Sequence, residues 1–303
     1  MGNLYVVATP IGNLNDITKR AIETLKNVDI ILCEDTRVSL KLLKNLEIKN
    51  KLISYHKFNE VNMTTKVIED LKKGLNIALI SDAGTPCISD PGYILVKKAK
   101  EENLKVIPIG GMCAFINAIS ISGLSSDKFT FCGFFPRETK EKNLLIKEIK
   151  TSKITTYAFY ESPKRIIKTL NYLLENLGNI KISVSRELTK MFETNYFGNL
   201  KEVLKKIEED KNSSLGEYTF IIEKENEKET KEEISIPAQL VDVMIKENLT
   251  TKEAIKFLSE TKNINKNEIY EASLKLKNML KWIKKLLLLH YRSERSFLWQ
   301  NTK

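Results

Sequence analysis

Histidine is almost missing from this 303-residue chain, which carries only His56 and His290. Its four cysteines, Cys33, Cys87, Cys113 and Cys132, stand alone, with no C-x-x-C pair. A zinc cluster or a histidine-based proton relay would therefore lack ligands, and no metal site is expected. The cysteines read as reduced, buried, small apolar residues of a cytosolic protein. No apolar run approaches the ~18 residues of a membrane span. The opening MGNLYVVATPIGNL has no basic leader, and Pro10 and Gly12 break its short apolar run. A cytoplasmic location with no membrane partner is expected. Both common phosphate-loop spacings, G-x-G-x-x-G and G-K-[ST], are also missing. A nicotinamide or nucleoside-triphosphate enzyme has little support.

What is present is ordinary for a soluble globular protein: 42% hydrophobic and 29% charged residues. The length favours more than one core. The net charge of +10 is uneven, since residues 280–303 carry six lysines and arginines against the single Glu294. Half of the excess sits in that tail, so charge permits a nucleic-acid partner without establishing one.

Strand and helix patterns alternate through the first third. Aliphatic runs at 4–9, 29–34, 51–56, 76–81 and 105–109 read as strands. Helical periods fall between them, the first expected to be capped by Asp16. The arrangement predicts an α/β fold with a mostly parallel sheet covered on both faces. Beyond Gly123, strands at 129–135, 155–162, 181–188, 193–200 and 217–223 point to a second α/β layer of more antiparallel character. Segments 181–188 and 193–200 are placed as neighbours. The expected organisation is an N-terminal α/β domain at 1–118, a second α/β domain at 119–225 and a charged linker at 226–236. A helical, helix-turn-helix-like unit follows at 237–279, then a basic tail at 280–303. Thr250-x-x-Glu253 and Asn265-x-x-Glu268 fit helix N-terminal capping, with Lys262-Asn263-Ile264 as the turn between helices.

Four loops lie where strands end: ATPIGNLND (8–16), ISDAGTP (80–86), IGGMCA (109–114) and FYESPKR (159–165). They share glycine and small residues, which let backbone groups approach a ligand closely. That suits a ligand rich in hydrogen-bonding edges without phosphates, such as an adenosine with an amino-acid tail. The SDAG turn of 81–84 is followed by SDPG at 89–92. The second is expected to start a helix near Pro91, capped by Asp90 or Ser89.

TPIGNLNDIT, CEDTR, SDAGTPCISDPGY, FYESPKR, RELTK and LGEYTF follow one another in that order. This ordered set resembles the tetrapyrrole-methylase superfamily, and within it the branch that methylates small-subunit ribosomal RNA. The resemblance runs from residue 4 to about 278. It implies two α/β domains with S-adenosylmethionine in the cleft between them. It also implies a homodimer that methylates the ribose 2′-oxygen of a decoding-centre cytidine in 16S rRNA. Pro10, Gly12, Asp82, Ala83, Gly84 and Thr85 would then line the methionine and ribose. Met112, Cys113, Ala114, Tyr160, Gly216, Glu217 and Tyr218 would enclose the rest. Two positions depart from the family pattern: Gly110-Gly111-Met112 replaces Pro-Gly-Pro, and Lys164 replaces a histidine.

Methyl transfer from a sulfonium needs alignment and removal of a weakly acidic proton. Glu34, Asp35 and Glu161 are the candidate proton acceptors, with Asp82 read as a cofactor ligand. Arg37, Lys164 and Arg165 are candidates for RNA phosphates. Each has a structural alternative. Glu34, Asp35 and Arg37 can form a salt-bridged turn, Tyr160 can be strand packing, and Glu161 can hold the helix after Pro163. Two other functions share these features: a methylase of the same fold acting on a tetrapyrrole or diphthamide precursor, and a non-catalytic ribosome-binding factor.

Overall fold

The computed structural model describes residues 1–225, 235–261, 264–279 and 281–282. The expected linker up to 234, the turn residues Lys262 and Asn263, and the basic tail other than Lys281 and Trp282 lie outside the described residues. The chain divides into two compact units, Met1–Asn226 and Glu227–Lys303.

The first unit contains two sheets. In the first, β1 (Leu4–Val7), β2 (Ile30–Cys33), β3 (Lys51–Ser54), β4 (Ile77–Leu79) and β5 (Val106–Ile109) run in the order β3-β2-β4-β1-β5. Every pairing is parallel. The central sequences LYVV, IILC and IAL are continuous aliphatic runs because helices bury them from both sides. On one face, Ala21 and Leu25 of α1 (Lys19–Asn27) and Leu43 of α2 (Thr36–Asn45) pack with Val7, Ile31 and Ala78. On the other, α3 (Glu60–Lys72) and α4 (Tyr93–Glu101) bring Val67, Ile68, Leu71, Leu95 and Ala99 against Leu4, Leu32, Ile77 and Leu79. Residues one apart on a strand thus enter opposite cores. The neighbours β1 and β4 feed helices on opposite faces. Their following loops part at the carboxyl end of the sheet, which opens a crevice there.

The second sheet joins β6 (Phe129–Phe134), β7 (Thr156–Glu161), β8 (Lys181–Arg186), β9 (Thr194–Asn199) and β10 (Tyr218–Glu223) in the order β6-β7-β10-β8-β9. Only β6–β7 is parallel. The expected neighbours 181–188 and 193–200 pair as β8 and β9, from Lys181↔Asn199 to Arg186↔Thr194. One face is covered by α6 (Thr139–Thr151), α7 (Ile166–Leu177) and α8 (Leu200–Glu209). The other takes α5 (Ala114–Ile121), whose Ala118 and Ile119 pack with Ala158 and Ile221. Helix α5 follows a loop of the first sheet and lies on the second, so it carries the chain from one layer to the other. Helices α6 and α8 were not anticipated from the sequence, although α8 buries Leu200, Val203, Leu204 and Ile207 at helical spacing.

Two expected caps differ in the structure. Asp16 belongs to a 3-10 turn, Leu14–Asp16, and the chain is extended again at Ile17. Helix α1 therefore starts two residues later than expected, at Lys19, with Thr18 Oγ1 accepting the Ala21 N–H at 3.1 Å. Helix α4 begins at Tyr93 with Gly92 as its N-cap, and no side chain caps it. Neither Ser89 nor Asp90 spends an oxygen on that helix.

In the second unit, α9 (Ile236–Lys246), α10 (Thr251–Thr261) and a helical segment at 266–279 share a core of Leu240, Ala254, Ile255, Leu258 and Ile269. The Thr250 N–H donates to Glu253 Oε2 at 2.8 Å, as the capping pattern predicts.

Gly92 has φ +132°, and a Cβ there would lie 2.6 Å from Leu79 Cδ2 and 2.7 Å from Cys87 Sγ. Gly92→Ala is expected to destabilise the protein by about 1–3 kcal/mol in urea unfolding. Gly110, with nothing within 4 Å of a built Cβ, should tolerate alanine with a change below about 1 kcal/mol.

Candidate active site

The four strand-end loops of the first sheet are fastened to one another by backbone and short side-chain bonds. Thr9 and Gly84 exchange both backbone bonds, N–H to O at 2.8 Å and 3.1 Å. Thr9 Oγ1 also donates to the Ser81 carbonyl at 3.2 Å. Thr85 Oγ1 donates to the Met112 carbonyl at 2.9 Å and draws in the loop after β5. In that loop, Gly111 lies against Ala8, where a Cβ would come within 2.9 Å of the alanine Cβ. Close approach to Ala8 thus explains Gly111, the middle residue of Gly110-Gly111-Met112. Asp82 Oδ1 accepts the Asp35 N–H at 3.0 Å and ties in the loop after β2.

Asp35 caps α2 by accepting the Arg37 N–H at 2.8 Å, and its carboxylate also holds the Arg37 guanidinium, with Nη2–Oδ2 at 2.6 Å. The Arg37 bonds lower the Asp35 carboxyl to about 2. Glu34, the neighbouring acid, is raised by burial and then by the Asp82 charge. Asp90 is raised to about 7, by burial first and then by Glu34 and Asp82. Glu34, Asp82 and Asp90 therefore form a group of carboxylates whose charges act on one another. Among the described residues, no cation is in a salt bridge with any of the three.

The second sheet contributes the opposite wall. Tyr160 of β7 accepts the Phe115 N–H on its hydroxyl at 3.3 Å, at the start of α5. Burial, followed by Cys113, drives the Tyr160 phenol upward, and Asp90 adds to the shift. Phe131 and Phe134 meet the Tyr160 ring edge-to-face, with centroids at 5.0 and 5.6 Å. A register shift in β6 between Phe131 and Phe134 interrupts the ladder. Phe134 is 59% exposed beyond it. At this irregularity, a Cβ on Gly133 would sit 3.4 Å from Ser89 Oγ, so the β6 bulge abuts the Ser89-Asp90 turn.

The remaining candidates fall into three groups. Pro10 and Gly12 sit in the loop after β1. Gly12 lies against the Lys190 side chain, and the Asn13 N–H donates to Thr189 Oγ1 at 3.2 Å. Lys190 in turn holds Glu187 at 2.8 Å and Glu217 at 2.9 Å, which brings the Gly216-Glu217 turn to the same rim. Tyr218 is buried, its hydroxyl bonded to the Ser213 carbonyl at 3.0 Å. Met112, Cys113 and Ala114 lead into α5, and burial raises the Cys113 thiol. Ala83 is exposed at the tip of its turn.

Glu161 lies away from the acid group in its bonding. It is 2% exposed, and its oxygens accept from Ser162 N–H at 2.7 Å and Thr169 Oγ1 at 2.6 Å. Arg165 pairs with it at 3.2 Å and donates to the Phe135 and Pro136 carbonyls, both at 2.8 Å. Lys164 is exposed. Sequence reasoning missed Asp90 as a site residue, having placed it as a helix cap, and did not single out Phe134. The signal for Asp90 was the repeated Ser-Asp-x-Gly itself.

The family model for tetrapyrrole (corrin/porphyrin) methylases matches residues 3–204. Relatives called ribosomal RNA small subunit methyltransferase I align along most of the chain. The one from Halalkalibacterium halodurans is 45% identical over 273 residues, covering 89% of this chain and 93% of the relative. The Bacillus subtilis protein is 42% identical, covering 90% and 94%, and the Escherichia coli O157:H7 protein 39%, covering 90% and 95%. Among solved structures, uroporphyrin-III-C-methyltransferase from Thermus thermophilus superposes with a TM-score of 0.52 at 14% identity. That alignment covers 74% of this chain and 95% of the other, and it shows a shared fold.

Arg165→Ala leaves the buried Glu161 carboxylate without its cation and is expected to cost about 3–5 kcal/mol in urea unfolding. Lys164→Ala should stay within about 0.5 kcal/mol.

Proposed function

From the premise that this chain belongs to the tetrapyrrole methylase family, we propose that it methylates small-subunit ribosomal RNA. The acceptor in this reading is the ribose 2′-oxygen of a decoding-centre cytidine in 16S rRNA. The observation that carries the chemistry is the unpaired group Glu34, Asp82 and Asp90 beside the aromatic wall of Tyr160 and Phe134. The relatives' shared name supports the substrate.

Members of the family use S-adenosylmethionine. The residues fit it: carboxylates that no lysine or arginine bridges among the described residues complement a ligand that bears both a sulfonium and an ammonium. They would repel a phosphate. When bound, the cofactor supplies an electrophilic methyl carbon. Asp82, Ala83, Gly84 and Thr85, with Pro10 and Gly12, would hold its charged end. Met112, Cys113, Ala114 and Tyr160 would enclose the rest, and Gly216 and Glu217 would close the rim. Tyr218 supports that rim from the core.

For the RNA, Phe134 offers an exposed aromatic face on which an unstacked base can lie. Lys164 and Arg37, exposed near the loops, would meet phosphates and set register without reading bases. Arg165 and Glu161 hold the Ser162 turn that presents Lys164. The homodimer and the cytoplasmic location belong to the same reading. No described helix is long and apolar enough to cross a membrane.

Small ribosomal subunits lacking the modification, incubated with the protein and methyl-labelled S-adenosylmethionine, should yield labelled 2′-O-methylcytidine after digestion to nucleosides. Label on a base, or on a porphyrinogen offered in competition, would overturn the proposal. Phe134→Ala should raise KM for the subunit by about tenfold or more, given stacking of ~1–3 kcal/mol per base, with cofactor affinity unchanged.

A further inference from the structure

We propose that the loop after β3, residues 56–59, is an RNA-contact platform on the acceptor side of this site, with Phe58 as its stacking face and Lys57 as its phosphate contact. The inference rests on the RNA-methylation reading above and names where that RNA lies on the first sheet.

The order of the strands leaves this place to the acceptor. The loops assigned to the cofactor leave β4, β1 and β5, which are contiguous. The loops after β2 and β3 make up the rest of that carboxyl edge. Pairing of β2 with β3 ends at Cys33↔Ser54, and the Tyr55 N–H carries it one step further by donating to the Cys33 carbonyl at 2.8 Å. Glu34 and His56 therefore leave neighbouring strand ends side by side. Burial and then the Asp82 charge raise the Glu34 carboxyl, and His56 opposes both.

The loop is braced, yet its apolar residue stands outside. Asn59 Oδ1 accepts the His56 N–H at 2.8 Å, and Asn59 Nδ2 donates to the Ser54 carbonyl at 3.0 Å. The Asn59 and Glu60 N–H groups both return to the His56 carbonyl at 2.9 Å. Tyr55 anchors the loop from beneath, buried and with its hydroxyl 3.0 Å from Thr64 Oγ1. Against this frame Phe58 is 94% exposed, more than any other large hydrophobic residue described. Its ring meets the His56 imidazole edge-to-face, with centroids 6.0 Å apart. A turn of this kind is ordinarily filled by Gly, Asn, Asp or Ser. A phenyl ring already set there can receive a base with little further ordering.

Three chemistries adjoin in three residues. The His56 side chain makes no hydrogen bond among the described residues, and its Nδ1 is buried without a partner. Lys57 is exposed and in no salt bridge among the described residues. At the neighbouring strand end, Arg37 and Lys41 are exposed at i and i+4 on α2. Exposed cations thus accompany both strand ends, while Glu34 and Asp82 are half-buried. That distribution fits a chain whose phosphates meet the cations and whose neutral sugar hydroxyl goes to the carboxylates. Phe134 presents its own exposed ring from the second sheet. With one base on each ring, the nucleotide between them is out of the stack, as a single strand read by a protein must be.

The test uses the full chain and small subunits lacking the modification. Phe58→Ala should raise KM for the subunit about tenfold or more, with kcat, cofactor affinity and Tm unchanged. Phe58→Trp should hold KM within about twofold, whereas Phe58→Leu, apolar but not planar, should behave like alanine. Co-sedimentation with the subunit in the absence of cofactor should rank the variants in the same order. Phe58→Ala combined with Phe134→Ala should lose the product of the two single effects, since the rings take different bases. Lys57→Ala should lower the slope of log KM against log salt by about 0.7, the value for one phosphate of a single strand, and Lys57→Arg should restore it.

Full subunit affinity in Phe58→Ala or Phe58→Leu would overturn the proposal. So would a smaller oligomeric mass of Phe58→Ala in sedimentation, which would assign the face to a second copy of this chain. A fall in Tm or cofactor affinity would overturn it too, by assigning Phe58 to the fold. The label on the unsubstituted protein separates the two readings. A methyl on something other than RNA defeats both, while label on the cytidine ribose with an indifferent Phe58 defeats the platform alone.

Discussion

The reciprocal backbone pair between Thr9 and Gly84 is the bond on which the arrangement of the site depends. β1 and β4 are neighbours in the sheet, yet the chain leaves them toward opposite faces. Without a tie, their loops would separate at the carboxyl end, with unpaired amides facing the crevice. The Thr9–Gly84 pair closes that gap as an isolated antiparallel bridge beyond the parallel ladder. Thr9 Oγ1, Thr85 Oγ1 and Asp82 extend the stitching to three further backbone groups. The loops are small-residue segments, but they are held as firmly as strand ends.

That rigidity serves a region that is electrostatically unfavourable on its own. Glu34, Asp82 and Asp90 repel one another, and burial removes the water that would screen them. A protein selected for stability alone would place a lysine or arginine among them. Arg37 lies nearby in sequence but is committed to Asp35, as Arg165 is to Glu161. No lysine or arginine is in a salt bridge with them among the described residues, and the second sheet contributes the uncharged wall of Tyr160, Phe131 and Phe134. Relief of this repulsion on binding is part of the affinity such a site can offer.

Most of the fold was legible in the sequence. The ten strands of the described residues all fall within segments read as strands, the central ones because strands buried on both faces need unbroken apolar runs. The helices α6 and α8 were not. α8 follows β9 with no intervening residue, Asn199 to Leu200, so no turn signal separates two periodicities. α6 buries only Ile146 and Ile149 within a lysine-rich stretch. The site was partly legible: the loops were placed at strand ends, while the direction of Asp90 was not readable. Ser-Asp-Pro-Gly has the composition of a helix start. Helix α4 is nevertheless left without a side-chain cap, in a turn where Ser89 and Gly92 are left-handed and Gly92 packs against Leu79 and Cys87. Asp16 failed as a cap for a related reason, since a 3-10 turn stabilised by Asn13 intervened.

On the proposed function, the loops at the carboxyl end of the first sheet, bound to one another through Thr9–Gly84, receive the cofactor together. Amide hydrogen exchange with and without S-adenosylmethionine measures this directly. The claim predicts a concerted rise in protection across 9–13, 82–86 and 110–115, as one cooperative unit, with β3 and α3 unchanged. Protection confined to one of these loops, or appearing elsewhere in the chain, would contradict it.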